Sequence, residues 1–98
     1  MITKQNMKLI DIVSGTSTNA DGCALFFAID KIINANNTIC IDLLDSTPLS
    51  SSFLNSSIGE LIDKYGIAKI KQSISYKNAT SSMFNNLKNY YNTLETIA

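Results

Sequence analysis

The run Thr38–Leu44, which reads Thr-Ile-Cys-Ile-Asp-Leu-Leu, constrains the fold more than any other part of the sequence. Successive side chains of a strand point to opposite faces, so the apolar residues at positions 39, 41 and 43 would share one face. Cys40, Asp42 and Leu44 would share the other face. A strand that is apolar on nearly both faces is typical of a sheet covered by helices. The run therefore predicts the central strand of an α/β fold.

Strands and helices alternate along the rest of the chain. Short apolar runs and apolar stripes with a 3.6-residue repeat predict strands over 7–13 and 72–76, and helices over 20–34, 51–65 and 80–96. Such alternation favours parallel pairing with right-handed crossovers.

We expect a single domain over residues 1–98, since a chain of this length supplies one core. The predicted architecture is an α/β sandwich, with a small mixed sheet of about four strands and helices packed mainly on one face. The fourth strand would be a short one at residues 1–5, and one helical turn is expected at Ile67–Lys71.

The composition removes several classes of function. The chain has no His and no Arg, and its eight Lys balance eight acidic residues. Without His there is no imidazole base, and without Arg no guanidinium fork to grip a phosphate. A net charge of zero disfavours a nucleic-acid partner. Short polar residues are abundant instead, with 12 Ser, 8 Thr and 11 Asn. Because the usual catalytic side chains are missing, we expect a protein that is not an enzyme and uses no cofactor.

Two cysteines are too few for a disulfide framework or a metal site, and we expect both Cys23 and Cys40 to be buried thiols. The N-terminus lacks the layout of a signal peptide, and no apolar stretch approaches the roughly 20 residues of a membrane span. These observations predict a cytoplasmic protein without a membrane partner.

Two polar loops, Ser14–Gly22 and Asp45–Leu49, follow predicted strands. This is where open α/β sheets bind ligands. The loop Ser14–Gly22 lacks the Lys-Ser/Thr pair of a phosphate-binding P-loop. The candidate ligand residues in these loops are Ser14, Gly15, Thr16 and Asp45.

Asp11, Asp42 and Asp45 could meet at strand ends and hold Mg²⁺, which would suit an enzyme. The simpler interpretation is that each is an exposed or loop-bonded strand-end residue, and we predict no metal site.

Three serines, Ser50–Ser52, stand at the predicted start of the 51–65 helix. One Ser is enough to cap a helix, because its oxygen accepts a hydrogen bond from an amide of the first turn. A phosphate on Ser51 or Ser52 would be stabilised by the amides and partial positive charge of the helix start, and would add about two negative charges. The cluster therefore suggests a phosphorylation switch that needs no Arg.

The segments Ser-Ser-Phe-Leu-Asn at 51–55 and Ile-Gly-Glu-Leu-Ile-Asp-Lys-Tyr-Gly at 58–66 resemble the STAS-like domains of bacteria, small relatives of the anti-sigma-factor antagonists. The resemblance covers residues 7–95 in element order and is most specific over Ile39–Gly66. The antagonists carry Asp-Ser-Ser/Thr-Gly-Leu at this turn, with a phosphorylatable second hydroxyl. Laid on this chain, that motif places Ser52 at the phosphosite, with Ser50 in place of the Asp and Phe53 in place of the Gly.

The resemblance implies a non-enzymatic regulatory module that docks a histidine-kinase-type ATPase or an anti-sigma-like protein. Phosphorylation at Ser52, or at Ser51, would weaken docking. The expected partner-binding residues are Ser50, Ser51, Ser52, Asn55, Ser56 and Gly59. The alternatives are a small-ligand or nucleotide sensor built on the strand-end loops, or an accessory subunit of a bacterial defence system. Edge-strand pairing would allow a homodimer.

Overall fold

The structure, a computed structural model, describes residues 3–97. In chain order the elements are β1 (Lys4–Lys8), α1 (Leu9–Ile12), α2 (Asn19–Asn34), β2 (Thr38–Asp42), α3 (residues 51–65), α4 (Ile67–Ser73), β3 (Ile74–Lys77) and α5 (Ser81–Ile97). Every helix within the described range is too short or too polar to cross a lipid bilayer.

The sheet has the order β1-β2-β3, with both pairs parallel. The central strand predicted from its apolar run is confirmed as β2. Across the described residues the sheet has three parallel strands, in place of the mixed sheet of about four that the sequence predicted. Parallel neighbours need a crossover connection, and helices occupy both connections here.

The apolar core lies on one face of this sheet. Ile39 and Ile41 of β2 are buried, and Ile39 pairs in register with the buried Ile74 of β3. On the opposite face Asn6 and Ser75, the two register neighbours of Cys40, are exposed. This arrangement places the apolar side of the helices against one side of the sheet.

The first predicted strand is wrong over most of its length. The structure ends β1 at Lys8 and forms helix α1 over Leu9–Ile12, because buried Leu9 and buried Val13 have the i, i+4 spacing of a helix. The strand itself, Lys-Gln-Asn-Met-Lys, is an exposed edge strand without apolar alternation. It overlaps the short strand expected at residues 1–5, of which residues 1 and 2 lie outside the described range.

The other boundaries shift less. The predicted turn at Ile67–Lys71 is the longer helix α4, and the predicted strand over 72–76 is β3 at Ile74–Lys77. Leu44, predicted inside the central strand, lies beyond the end of β2 and is 45% exposed. Cys40 is buried as expected, whereas Cys23 is exposed, which contradicts its prediction.

Helix ends follow the capping residues seen in the sequence. The Thr18 hydroxyl accepts a hydrogen bond from the Asp21 amide at the start of α2. Asn36, just beyond α2, and Gly66, which ends α3, both have positive φ angles. Asn and Gly adopt such positive φ angles at helix ends more readily than other residues do.

Helix α3 is a continuous helix with an irregular middle. Ser51–Leu54 and Glu60–Tyr65 are α-helical, and Asn55–Gly59 between them forms a π-helical segment. Within it, the buried Ser57 hydroxyl donates to the carbonyl of Phe53 at 2.7 Å. Ser hydroxyls that bond back to the preceding turn commonly bend helices.

Helices α2 and α3 are held together at both ends. Near the start of α3, Gly22 of α2 sits so close that a Cβ there would come within 2.6 Å of the Phe53 carbonyl oxygen. At the other end, the Tyr65 hydroxyl donates to Asp30 Oδ1 at 2.5 Å, and Lys64 Nζ lies 2.9 Å from the same oxygen. These contacts fix the position of α3 against α2.

Candidate interaction site at the start of helix α3

Ser50 is the cap of α3 and is fully engaged in that role. Its side-chain oxygen accepts a hydrogen bond from the Phe53 amide at 3.1 Å, and its carbonyl accepts one from the Leu54 amide at 3.0 Å. Its own amide donates to the Thr16 carbonyl at 3.0 Å. Ser50 therefore builds the helix start and ties it to the loop that precedes α2.

Ser51 and Ser52 form the first turn beyond the cap, and both are exposed. Neither hydroxyl hydrogen-bonds to another described residue, so neither is needed by the helix. Phe53, which stands where the antagonists have Gly, points inward and is 1% exposed. The bulky ring thus belongs to the core and leaves the two serines uncovered.

The other predicted docking residues, Asn55, Ser56 and Gly59, all contact neighbouring helices but differ in exposure. Asn55 is exposed and accepts a hydrogen bond from the Tyr90 hydroxyl of α5 at 2.9 Å. Ser56 donates to Asn19 of α2 at 3.1 Å. A Cβ at Gly59 would lie 2.6 Å from the Tyr90 hydroxyl. Ser56 and Gly59 therefore make packing contacts within the chain, while the accessible part of the face lies at the helix start.

The loop before α2 is joined to the connector before α3 through Thr16. The Thr16 side chain is 2.9 Å from the Pro48 carbonyl and 2.5 Å from the Thr47 hydroxyl, and the residue is 5% exposed. Since the Thr16 carbonyl also holds the Ser50 amide, one residue links both loops to the start of α3.

A cleft of about 220 Å³ opens between these loops. Its lining includes all four ligand residues predicted from the sequence: Ser14, Gly15, Thr16 and Asp45. Ser46 also lines the cleft, and its Oγ is buried with no hydrogen-bond partner among the described residues. Asp45 adopts a positive φ of 62°. The structure thus brings together the two loops that the sequence singled out separately, and no Lys among residues 3–97 lines the cleft.

Asp42 serves the fold at the end of β2. One of its carboxylate oxygens, Oδ1, accepts hydrogen bonds from the Asn78 side-chain amide and the Leu44 backbone amide, both at 2.9 Å. The Asn78 bond is the largest cause of a lowered pKa for Asp42, followed by the Leu44 bond. Within residues 3–97, no group of three or more Asp, Glu, Cys or His residues is placed to hold a metal ion.

Two exposed apolar residues near this site were missed. Ile10 of α1 lines the cleft and is 45% exposed, and Leu44 follows β2 with the same exposure. Both come just after the carboxyl ends of neighbouring strands, the edge at which open α/β sheets bind their ligands. The polar residues Lys8 and Asp42 mark the ends of the two strands. Recognising those ends would have placed Ile10 and Leu44 beyond the sheet, at its ligand-binding edge.

Comparison with protein families supports the architecture. Residues 21–83, nearly two thirds of the chain, match the family described as STAS-like domain of unknown function (DUF4325). Searches of curated proteins and of solved structures each gave no match. The matched segment runs from the start of α2 to the first turn of α5 and contains all of α3. The chain therefore belongs to the STAS-like family.

Proposed function

We propose that this domain is a non-enzymatic regulatory module that docks a protein partner through the start of α3. The observation that carries the proposal is that the three serines differ in their contacts. Ser50 caps the helix, whereas the hydroxyls of Ser51 and Ser52 are exposed and form no hydrogen bond within the described chain. The exposed apolar residues Ile10 and Leu44 lie at the same edge of the sheet and extend the proposed surface.

Phosphorylation is the proposed switch. A phosphate on Ser52 or Ser51 would lie in the first turn of α3, where free amides and the helix dipole stabilise negative charge. It would add about two negative charges to a surface that already includes Asp45. Among the described residues, no Lys lines the adjoining cleft to balance them. Docking would weaken because the partner must strip water from that phosphate and face its charge. The family resemblance favours Ser52 as the modified residue.

The proposed partner is a histidine-kinase-type ATPase or an anti-sigma-like protein, as for the antagonists that the sequence resembles. A kinase that uses ATP implies that the domain works in the cytoplasm. A role as an accessory subunit in a bacterial defence system would use the same surface with a different partner.

Intact-mass measurement after incubation with ATP and a histidine-kinase-type ATPase from the same genome tests the proposal. We expect the mass of one phosphate group on the wild-type chain, its loss in Ser52→Ala, and its retention in Ser82→Ala. Ser82 is a matched control because it is an exposed serine at the same position of another helix start. An unmodified wild-type chain, together with unchanged partner affinity for Ser52→Asp, would overturn the proposal.

A small-ligand sensor is a second candidate, favoured by the cleft at the strand-end loops and by the unpartnered Ser46 hydroxyl that lines it. The cleft is smaller than the roughly 300–1,000 Å³ of most ligand sites and holds a carboxylate without a Lys, which favours a small polar ligand over a nucleotide. A thermal-shift screen with nucleotides and small polyols separates these options, and a flat response counts against sensing at this cleft.

A further inference from the structure

A larger cavity of about 380 Å³ lies between β3, α4 and α5, away from the start of α3. Buried Ile74 and Leu87 line it together with Ala79 and the ring of Phe84. Its volume falls in the range of small-molecule sites, which are mostly apolar with a few placed polar groups. Phe84 is 60% exposed although it borders this cavity, so the apolar lining extends to the surface.

Two phenol groups stand inside the apolar lining. The hydroxyl oxygens of Tyr76 and Tyr91 are 2.9 Å apart, and both residues line the cavity. Burial raises the pKa of both tyrosines, so each keeps its proton at neutral pH. Two hydroxyls carry two protons, but only one of these can lie between the oxygens. The other proton can be donated to a ligand in the cavity.

The charges around the cavity are unbalanced. Lys71 and Lys88 both line it, but Lys71 is paired with Glu95, the two groups being 2.5 Å apart. Lys88 is exposed and forms no ion pair with another residue of the described chain. Within the part of the chain that the structure describes, the cavity lining contains no acidic residue. The unpaired ammonium group of Lys88 and the second phenol proton of the Tyr76–Tyr91 pair could together bind one negatively charged group.

We propose that this cavity binds a small amphipathic carboxylic acid. Its apolar body would pack against Phe84, Ile74 and Leu87. Its carboxylate would accept the spare phenol proton as a hydrogen bond and face Lys88. A single unpaired cation suits a carboxylate better than a phosphate, which carries about two charges and is usually held by several donors. This site goes beyond the proposed docking surface, because it uses none of the residues at the start of α3.

Protein-observed NMR titration with 3-phenylpropanoate, and with its uncharged amide, tests the proposal on the full chain. We expect saturable shifts centred on Ala79, Leu87 and Tyr91, with the acid binding about tenfold more tightly than the amide, since hydrogen bonds to charged groups are the stronger ones.

Two variants test the polar contacts. Lys88→Gln should weaken acid binding about threefold and leave amide binding unchanged, as expected for an exposed charge. The matched control Lys69→Gln alters an exposed Lys of α4 outside the cavity and should have no effect. The double change Tyr76→Phe with Tyr91→Phe removes both partners of one hydrogen bond, so the fold should survive while acid binding weakens.

The proposal is overturned if neither probe gives saturable shifts at the cavity, or if acid and amide bind equally and Lys88→Gln changes neither. It is also overturned if dilution of the ligand-free protein shifts the same resonances, because a second copy of the chain would then cover the cavity.

Discussion

The starts of α3 and α5 are nearly identical in local chemistry and differ in what surrounds them. Ser50 Oγ accepts from the Phe53 amide at 3.1 Å, and Thr80 Oγ1 accepts from the Met83 amide at 3.1 Å. Each cap is followed by two exposed serines, at 51–52 and 81–82, and then by a buried apolar residue. Local sequence is therefore sufficient to begin a helix in both places.

The starts of α3 and α5 differ in the residues that surround them. The cap of α3 is bonded to Thr16 and adjoins a cleft that includes Ser46 and Asp45. The start of α5 follows Asn78, which is bonded to the carboxylate of Asp42. One helix start is thus joined to an open polar cleft, whereas the other follows a structural contact and lies beside the apolar cavity lined by Ala79 and Phe84. An exposed serine pair thus becomes a candidate site through its tertiary neighbours.

The largest expected effect comes from separating α3 from α2. Gly22→Val would force side-chain atoms against α3, because a Cβ at position 22 would come within 2.7 Å of both the Phe53 carbonyl oxygen and the Ser56 Cβ. We expect the free energy of unfolding to fall by about 3 kcal/mol, as for overpacking in a tight contact. Chemical denaturation measures this, and Ala20→Val at an exposed position of the same helix is the control. A loss in Gly22→Val no larger than that in Ala20→Val would contradict the tight contact, because Val has a better helix propensity than Gly.

The two caps should matter equally for stability. Ser50→Ala and Thr80→Ala each remove one cap, and each should lower the free energy of unfolding by about 1 kcal/mol. Only Ser50→Ala should also reduce partner binding, because only this cap adjoins the proposed surface. Denaturation and partner titration of both variants measure the two effects, and a loss of binding in Thr80→Ala alone would contradict the comparison.

The contact beside α5 should be sensitive to acid. The pKa of Asp42 is lowered in the fold, chiefly by its bond from Asn78, so ionised Asp42 stabilises the fold above its unfolded pKa of about 3.9. This stabilisation is lost as the pH falls through the lowered pKa. Asp42→Asn should be less stable than wild type at pH 7, and the difference should shrink below pH 4. Thermal unfolding across pH 2–7 checks this, and a constant difference would contradict it.

The smallest expected effect on stability comes from the exposed serines themselves. Ser52→Ala and Ser82→Ala should each change the free energy of unfolding by less than about 0.5 kcal/mol, because neither hydroxyl bonds to the described chain. Denaturation midpoints measure this. A large loss in Ser52→Ala would mean that this serine serves the fold, which would weaken the case for a switch.

Much of the helical structure could be predicted because its signals are local. Thr18, Asn36 and Gly66 mark helix ends by their own chemistry, and the apolar stripe of α3 repeats within one segment. Strand β1 could not be predicted in the same way, because an edge strand needs no apolar alternation. Its register depends on β2, more than thirty residues away.

The candidate site was predicted in parts. The sequence marked Ser50–Ser52 and the two loops, but their junction through Thr16 is a contact between distant segments. The involvement of Gly59 with Tyr90, and the phenol pair of Tyr76 and Tyr91, likewise depend on where α5 packs. Local patterns carry no information about those distances.

The affinity of the proposed histidine-kinase-type ATPase partner for wild type, Ser52→Asp and Ser82→Asp is the most direct test of the difference between the two helix starts. The proposal predicts that Ser52→Asp weakens binding about tenfold, whereas Ser82→Asp binds like wild type, since only the first places charge in the docking surface. Equal affinities for all three chains, or a loss confined to Ser82→Asp, would contradict the account.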